Sequence, residues 1–312
     1  MKKNLFFYAA LIASALSFGL VSCSVEDDPE IELDKTIKPT VIDDILAKPS
    51  AVTLPSTDQA PIEVELSTES PVSKIVIGSD NKALLYKANV QARAIVGSTN
   101  VFTGEYTIEG DCFVIVCEEL GLNIKVPMDF LDDVTINDVS YKIEETLQIP
   151  TSATTADENI CRTWTRPVYT AGVFFDKLPV YGVSDADKEE VADIKVLAKK
   201  IFDRIVAENS DLRDEGFDLL SSNIESLTFT ANKVYLRFED GRVEESTWEW
   251  TDLSKNLLKT VVDGKEVALE ARFEAPDKAY FIVTANCEGV GGLGVHTLSG
   301  ALICKMVESA AK

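Results

Sequence analysis

Apolar and charged residues alternate along Ile62-Glu63-Val64-Glu65-Leu66, the period of two expected of a strand with one buried face. Short patterns of this kind recur through most of the chain. Residues 74–77 and 83–86 are apolar-rich and flank Gly78-Ser79-Asp80-Asn81, a hairpin-turn composition. Further strands are expected at 90–96, 104–108, 112–117 and 123–126, with Glu109-Gly110-Asp111 and Glu119-Leu120-Gly121 as turns between the last three. A second series is expected at 160–165, 224–230, 234–239, 245–251, 257–262, 266–273, 280–286 and 296–307. Asp240-Gly241 and Asp263-Gly264 are tight-turn pairs within it. One stretch has a different period. Val191, Ile194, Leu197, Ile201 and Ile205 recur three or four residues apart, which predicts an amphipathic helix over 185–208. Ser184 and Asp187 stand as a capping box at its start. Its apolar face is expected to cover the chain's own sheet.

Many short strands with regular turns predict a mainly β fold of two tandem small antiparallel barrels or sandwiches, the second with an inserted helix. The polar run 148–158 (QIPTSATTADE) is read as the linker. It separates an N-terminal domain over 61–147 from a C-terminal domain over 159–312.

Residues 1–60 follow neither pattern. Met1-Lys2-Lys3-Asn4 is short and basic, an apolar run fills 5–20, and a small residue precedes Cys23, the order of a secretory signal peptide. Leu20-Val21-Ser22-Cys23 resembles the lipobox of bacterial lipoproteins. That resemblance implies removal of residues 1–22, attachment of palmitate-type acyl chains to Cys23, and anchoring to a membrane. Residues 23–60 then form a tether. Glu26, Asp27, Asp28, Glu30 and Glu32 make its start too charged, and too poor in aromatics, to fold alone. This acidic run also resembles the surface-export signal of Bacteroidota lipoproteins, which implies a place on the outer membrane facing the cell exterior. Within the tether, 39–46 is expected to form a short helix with Thr40 as N-cap and Pro49 helping to stop it. No later run reaches the roughly 18 apolar residues of a membrane helix.

Charge narrows the partners. The formal net charge is −22, spread along the chain. Nucleic acid is excluded, because neutralising phosphates needs a basic face. Anionic membrane surfaces are disfavoured, and solubility is favoured. With Cys23 assigned to lipid, Cys112, Cys117, Cys161, Cys287 and Cys304 remain. Five is odd, so at least one stays free if the rest pair. Cys112, Cys117, Cys287 and Cys304 sit in or beside apolar runs, where cysteine packs as a small hydrophobe. Cys112 and Cys117 face opposite sides of a regular strand, so no local bridge is expected.

The two halves echo one another. Val72-Ser-Lys-Ile-Val-Ile-Gly-Ser-Asp-Asn81 aligns with Ile224-Glu-Ser-Leu-Thr-Phe-Thr-Ala-Asn-Lys233, and Leu84-Leu85-Tyr86 with Leu236-Arg237-Phe238. Thr103-Gly-Glu-Tyr106 then stands where Ser246-Thr-Trp-Glu-Trp250 stands later. Order and spacing suggest two related β units. Cys161-Arg-Thr-Trp164, Leu227-Thr-Phe-Thr230, Asp240-Gly241 and Ser246-Thr-Trp248-Glu-Trp250 resemble the lipocalin-like domains of Bacteroidota lipoproteins. Those pair an early tryptophan with a Gly/Ser-Thr-Trp strand. The resemblance covers about 159–307 and implies a small antiparallel barrel without an assigned chemistry. This chain departs from the pattern by its long helix and by Ser246 where a glycine is usual.

No catalytic constellation stands out. His296 is the only histidine, which rules out a histidine-rich metal site, and a Cys287–His296 dyad has no surrounding signature. Gly289-Val290-Gly291-Gly292-Leu293-Gly294 matches G-x-G-x-x-G, but too little chain follows for a βαβ unit, so it is read as a hairpin loop. Asp129, Asp132, Asp133 and Asp138 lack the spacing of a calcium loop. Trp248 and Trp250 share one face of a strand, either packed in the core or lining a ligand surface; Thr247, Glu249 and Thr251 take the wet face.

The chain is therefore expected to be a non-enzymatic, lipid-anchored envelope protein without cofactor or metal. Its role would be binding or assembly, with an outer-membrane protein as partner. The alternative is a glycan or hydrophobic small-molecule binder whose second barrel is lined by Trp164, Trp248 and Trp250. A hydrolase using carboxylates alone is the third reading.

Overall fold

The computed structural model describes residues 52–55, 60–88, 100–149, 152–176, 178–182, 189–208, 223–262, 265–290 and 296–309. The signal segment, Cys23, the acidic run, the helix expected at 39–46, the strand expected at 90–96, Ser184, Asp187 and Gly291 to Gly294 lie outside them. The chain is mainly β, in two nine-stranded sheets, one from each half of the sequence.

The first sheet is an antiparallel meander. Its strands are β1 (Ile62–Leu66), β2 (Val72–Ile77), β3 (Lys82–Lys87), β4 (Val101–Glu109), β5 (Cys112–Cys117) and β6 (Leu122–Pro127). β7 (Val134–Ile136), β8 (Val139–Tyr141) and β9 (Ile143–Leu147) follow. Only one residue separates β8 from β9. That stretch pairs first with β7, Val134 opposite Tyr141, and then with β1, Leu66 opposite Ile143. The meander thereby returns to its first strand as a barrel. Alternation decides what fills it: Val64, Leu66, Ile75, Ile77, Leu85, Tyr106, Phe113, Ile115, Ile124, Val126, Val134 and Ile136 form one buried core. Gly104 faces this core, where a Cβ would stand 2.8 Å from the Ile115 side chain. Asn81 closes the β2–β3 turn at φ 58°, a conformation asparagine tolerates.

Between the sheets, the expected linker is partly helical. α1 (Thr155–Ile160) starts on Thr154, whose hydroxyl accepts from the Asp157 N–H while Asp157 returns a bond to the Thr154 N–H. This capping box sits in a run whose composition reads as irregular, and it moves the next strand from residue 160 to residue 163.

The second sheet comprises β10 (Thr163–Phe175), β11 (Leu178–Tyr181), β12 (Ile224–Phe229), β13 (Lys233–Phe238) and β14 (Val243–Asp252). It continues with β15 (Leu257–Val262), β16 (Lys265–Glu274), β17 (Lys278–Val290) and β18 (His296–Glu308). β11 is a hairpin arm on β10, and β18 pairs back to β10, which closes the remaining strands into a second barrel. At that seam Gly300 lies so near β10 that a Cβ would stand 2.3 Å from the Gly172 carbonyl oxygen.

α2 (Ile194–Glu208) is shorter than the helix expected over 185–208. Val191, part of the helical stripe by its spacing, instead exchanges backbone hydrogen bonds with Tyr169 of β10 at 2.8 and 3.0 Å. The helix starts where Asp193 accepts from the Lys195 N–H at 2.8 Å, as an N-cap does. Ile194, Leu197, Ala198, Ile201 and Ile205 are all buried, so the stripe faces protein as expected.

Two compact units divide these elements. One consists of Pro55–Thr165, Glu225–Glu245 and Glu308–Lys312; the other takes Arg166–Ile224 and Ser246–Val307, with the segment before Pro55. The unit around the first barrel thus extends past 148–158 to include β13, most of β12 and the start of β14. The echoed segments become β2 and β12, β3 and β13, and β4 and β14, three successive neighbours in each sheet. Both hairpins close alike: Gly78 N–H donates to the Lys82 carbonyl at 3.0 Å, and Thr230 N–H to the Lys233 carbonyl at 2.9 Å.

Candidate functional site

The three tryptophans are placed by their strands. β14 and β15 pair Trp248 with Thr260 and Trp250 with Leu258. Trp248 is 6% exposed, while Trp250 is half-buried, and their rings meet edge to face at 5.6 Å. The opposite face is wet as expected: Glu249 is exposed and pairs with Lys259 at 2.9 Å. Trp164 lies in the other compact unit, fully buried, its indole N–H donating to the Ile160 carbonyl at 3.1 Å.

Cys112, Cys117, Cys161 and Cys304 are free thiols. Cys161 donates to the Thr230 carbonyl at 3.3 Å. Burial pushes both the Cys161 and Cys304 thiols up, away from thiolate and hence from nucleophilic use. Cys287 and His296 are placed by backbone register alone, opposite Leu298 and Val290. Among the described residues no group of three His, Cys, Asp or Glu side chains could hold a metal ion.

The outer wall of β1 to β3 carries the most unusual chemistry. Within the same compact unit, Thr230, Lys233, Tyr235 and Glu245 lie against it. Glu63 is fully buried, yet it points out of the first barrel. It accepts from the Thr230 hydroxyl and lies 3.3 Å from the Lys233 ammonium. Lys233 also reaches Glu245 at 3.1 Å, and Glu245 pairs with Lys74 at 2.6 Å. The Lys74 ammonium sits 4.0 Å from the Tyr86 ring centroid and donates to the Tyr235 hydroxyl at 3.3 Å. Val76, Leu84 and Tyr235 pack beside it as a small apolar cluster.

Two acids and two bases balance here, and burial works against the charges of Lys74, Glu245 and Lys233. Burial lowers Lys74, against the pull of Glu245. Burial alone would raise Glu245, but the hydrogen bond and charge of Lys74, with Tyr86 and Lys233, hold it below the ordinary carboxylate range. Burial would likewise lower Lys233, and the charges of Glu63 and Glu245 reverse that. Tyr86 and Tyr235 are pushed far up, by burial first and by neighbouring carboxylates second. A second balanced group follows along the same wall. Arg237 binds Asp80 and Glu225, each at 2.9 Å, and Lys82 binds Glu225 at 2.9 Å. Arg162 is the third clamp, joining Glu308 at 2.5 Å, the Pro55 carbonyl at 2.7 Å and the Glu158 carbonyl at 3.1 Å.

A cleft of about 460 Å³ opens further round this barrel. Asp80, Asn81, Lys82, Glu105, Tyr106, Thr107, Val114 and Val116 line it. Register explains the set. Lys82 pairs with Glu105, Glu105 with Val116, and Thr107 with Val114, so these side chains share the outward face of β3, β4 and β5. Tyr106 points inward and donates to the Gly78 carbonyl at 2.7 Å; burial, then the nearby Asp80, pushes it up to about 12. The cleft offers an apolar strip of two valines beside an ammonium, a carboxylate, an amide and a hydroxyl. Its size falls within the usual range for small-molecule sites. The tryptophan pattern of the sequence points instead to ligand lining in the second half. The only sequence signal for this cleft is the outward phase of β3 to β5, which any half-exposed sheet shares.

No protein-family model matches the chain, and no curated protein matches it either.

Proposed function

We propose that this chain is a lipid-anchored envelope protein that works by binding, held to the outer membrane through Cys23 and facing the cell exterior. The observation that carries the binding role is the cleft on the outer wall of the first barrel, whose interior is packed with side chains. A ligand of small polar–apolar character, such as a sugar unit, would lay its apolar face on Val114 and Val116. Asn81, Glu105 and Thr107 supply hydrogen bonds for its hydroxyl groups, while Lys82 stays paired with Glu225. The charged residues of the neighbouring wall are committed to one another, which supports a framework role for them over acid–base work. A second reading, a glycan platform on the second sheet, rests on the half-buried Trp250 beside Trp248.

The anchor and the cleft are tested separately. Cys23→Ala should abolish labelling by a clickable palmitate analogue in cells and release the chain from membranes. Retained labelling would refute the anchor. For the cleft, saturation-transfer NMR against a panel of mono- and disaccharides should give a transfer signal that Val116→Asp abolishes. A signal that survives Val116→Asp and disappears with Trp250→Ala would move the role to the second sheet.

A further inference from the structure

The end of the first barrel where β4, β5, β6 and β7 meet carries an apolar tip distinct from the cleft. Ile108 stands opposite Phe113, and Cys112 opposite Pro127. Residues 128–133 then run Met-Asp-Phe-Leu-Asp-Asp into β7. Three hydrogen bonds fix this turn: Met128 N–H to the Asp111 carbonyl at 2.9 Å, Phe130 N–H to the Pro127 carbonyl at 3.1 Å, and Leu131 N–H to the Asp129 carboxylate at 3.1 Å. Phe130 adopts φ 55°, rare for a bulky residue, and its ring stacks on Phe113 at 6.3 Å. With Phe130 turned onto the core, Leu131 points outward. It is 87% exposed, more than any other large apolar side chain described; Ile108 is 52% and Met128 40% exposed. A single exposed leucine is ordinary, but here Leu131 and Met128 share one fixed turn, and the exposed Ile108 stands at the same end of the barrel on β4.

The charges around the tip select what covers it. Glu109, Asp111, Asp129, Asp132 and Asp133 are exposed and interleave with the apolar residues. Between Glu105 and Asp133 the only basic residue is Lys125, paired with Thr135 in the ladder just before the turn, one cation against these five carboxylates. Lys142, next to the partner of Val134, is turned to Glu144 at 3.7 Å. A second copy of the chain would press the same carboxylates against these, with a net charge of −22 on each side. An anionic lipid surface and the acidic tether meet the same repulsion. We infer that the tip docks a partner protein through a segment that carries apolar side chains between lysines or arginines. Leu131, Met128 and Ile108 supply the apolar contact; the five carboxylates pair with the cations and steer the approach.

The test uses the full chain and a fluorescein-labelled peptide alternating lysine with leucine. Equal-length peptides alternating lysine with serine, and glutamate with leucine, are the controls. Fluorescence anisotropy should show saturable binding of the first peptide, at least about tenfold tighter than the second and absent for the third. Leu131→Ser with Met128→Ser removes apolar surface and no charge, and both positions are exposed, so the fold should persist by circular dichroism. That variant should lose at least about tenfold in affinity. Equal binding of the lysine–serine peptide, or unchanged binding by the double variant, would overturn the proposal, since charge alone would then account for the complex. Concentration-dependent dimers in sedimentation that Leu131→Ser abolishes would also overturn it, in favour of self-association.

Discussion

Strands β1 to β3 have two buried faces, and the two are buried by different physics. Inside the barrel, Val64, Leu66, Ile75, Ile77, Ala83 and Leu85 join a continuous apolar core. Outside, Glu63 and Lys74 share the wall with Val76, Leu84 and Tyr86 beneath Lys233, Tyr235 and Glu245. The inner contact is non-directional, so any apolar set of the right volume would serve. The outer contact is specific. A buried ion pair gains little net energy over an apolar pair, because desolvation offsets much of the attraction. What it contributes is placement: Lys74 meets Glu245 and Lys233 meets Glu63 in only one register of the covering strands. One face of these strands thus supplies stability, and the other selects which segment covers the barrel.

The inner face should give the largest effect. Phe113→Ala empties a site in contact with Tyr106 at 5.6 Å and with Phe130. It should cost about 3–5 kcal/mol, the usual loss for a buried aromatic, and a large part of a typical domain's roughly 5–15 kcal/mol. Urea denaturation followed by tryptophan fluorescence measures it. A loss below about 0.5 kcal/mol, within the range of ordinary surface changes, would mean that the barrel is not held by its interior.

The outer face should respond differently to single and paired changes. Lys74→Met leaves the Glu245 carboxylate, whose side chain is 31% exposed, with Tyr86 and Lys233 and should cost about 1 kcal/mol, the low end of the penalty for weakening a polar partnership. Adding Glu245→Leu removes the stranded group, so the double variant should be more stable than Lys74→Met. If the second change only adds to the first, the pair is not acting as a unit and the comparison fails.

Acid provides the gentlest probe of the same wall. Glu245 and Glu225 both have folded pKa values below their ordinary 4.5. For Glu225, burial opposes the shift and is overcome by Lys82 and Arg237. A carboxylate lowered by folding stabilises above its unfolded value and loses that contribution as pH falls through its folded value. Stability should therefore be level near neutrality and decline below about 4.5, set by the unfolded carboxylate. Glu245→Gln should flatten part of that decline in urea midpoints recorded from pH 6 downward. An identical slope in the variant would show that the decline has another source.

Much of the architecture was legible from periodicity. Alternation over 62–66 fixed which side of β1 looks into the barrel, and the turn compositions located the hairpins. The echo between 72–81 and 224–233 marked corresponding strands of the two sheets. Two local features escape such a reading for definite reasons. Thr154 and Asp157 spell a capping box, but one turn of helix gives too short a pattern to stand out from a polar linker. Val191 fits the helical stripe by spacing alone, whereas its backbone hydrogen bonds go to Tyr169, a partner more than twenty positions away.

By itself the sequence determined the class of fold and the phase of the strands it predicted, because these depend on neighbours along the chain. Only the tertiary structure decided that Glu63 and Lys74 are covered. Period-two alternation tells which residues share a face and says nothing about whether water or another strand lies beyond it. The alternation that reads as a wet wall in β1 becomes a charged interior once β12, β13 and the start of β14 join the first barrel's unit. The cleft and the exposed tip at Leu131 follow from the same rule. Each is a place where no segment among the described residues covers the outward face of the barrel or its end, and coverage is a property of the folded chain.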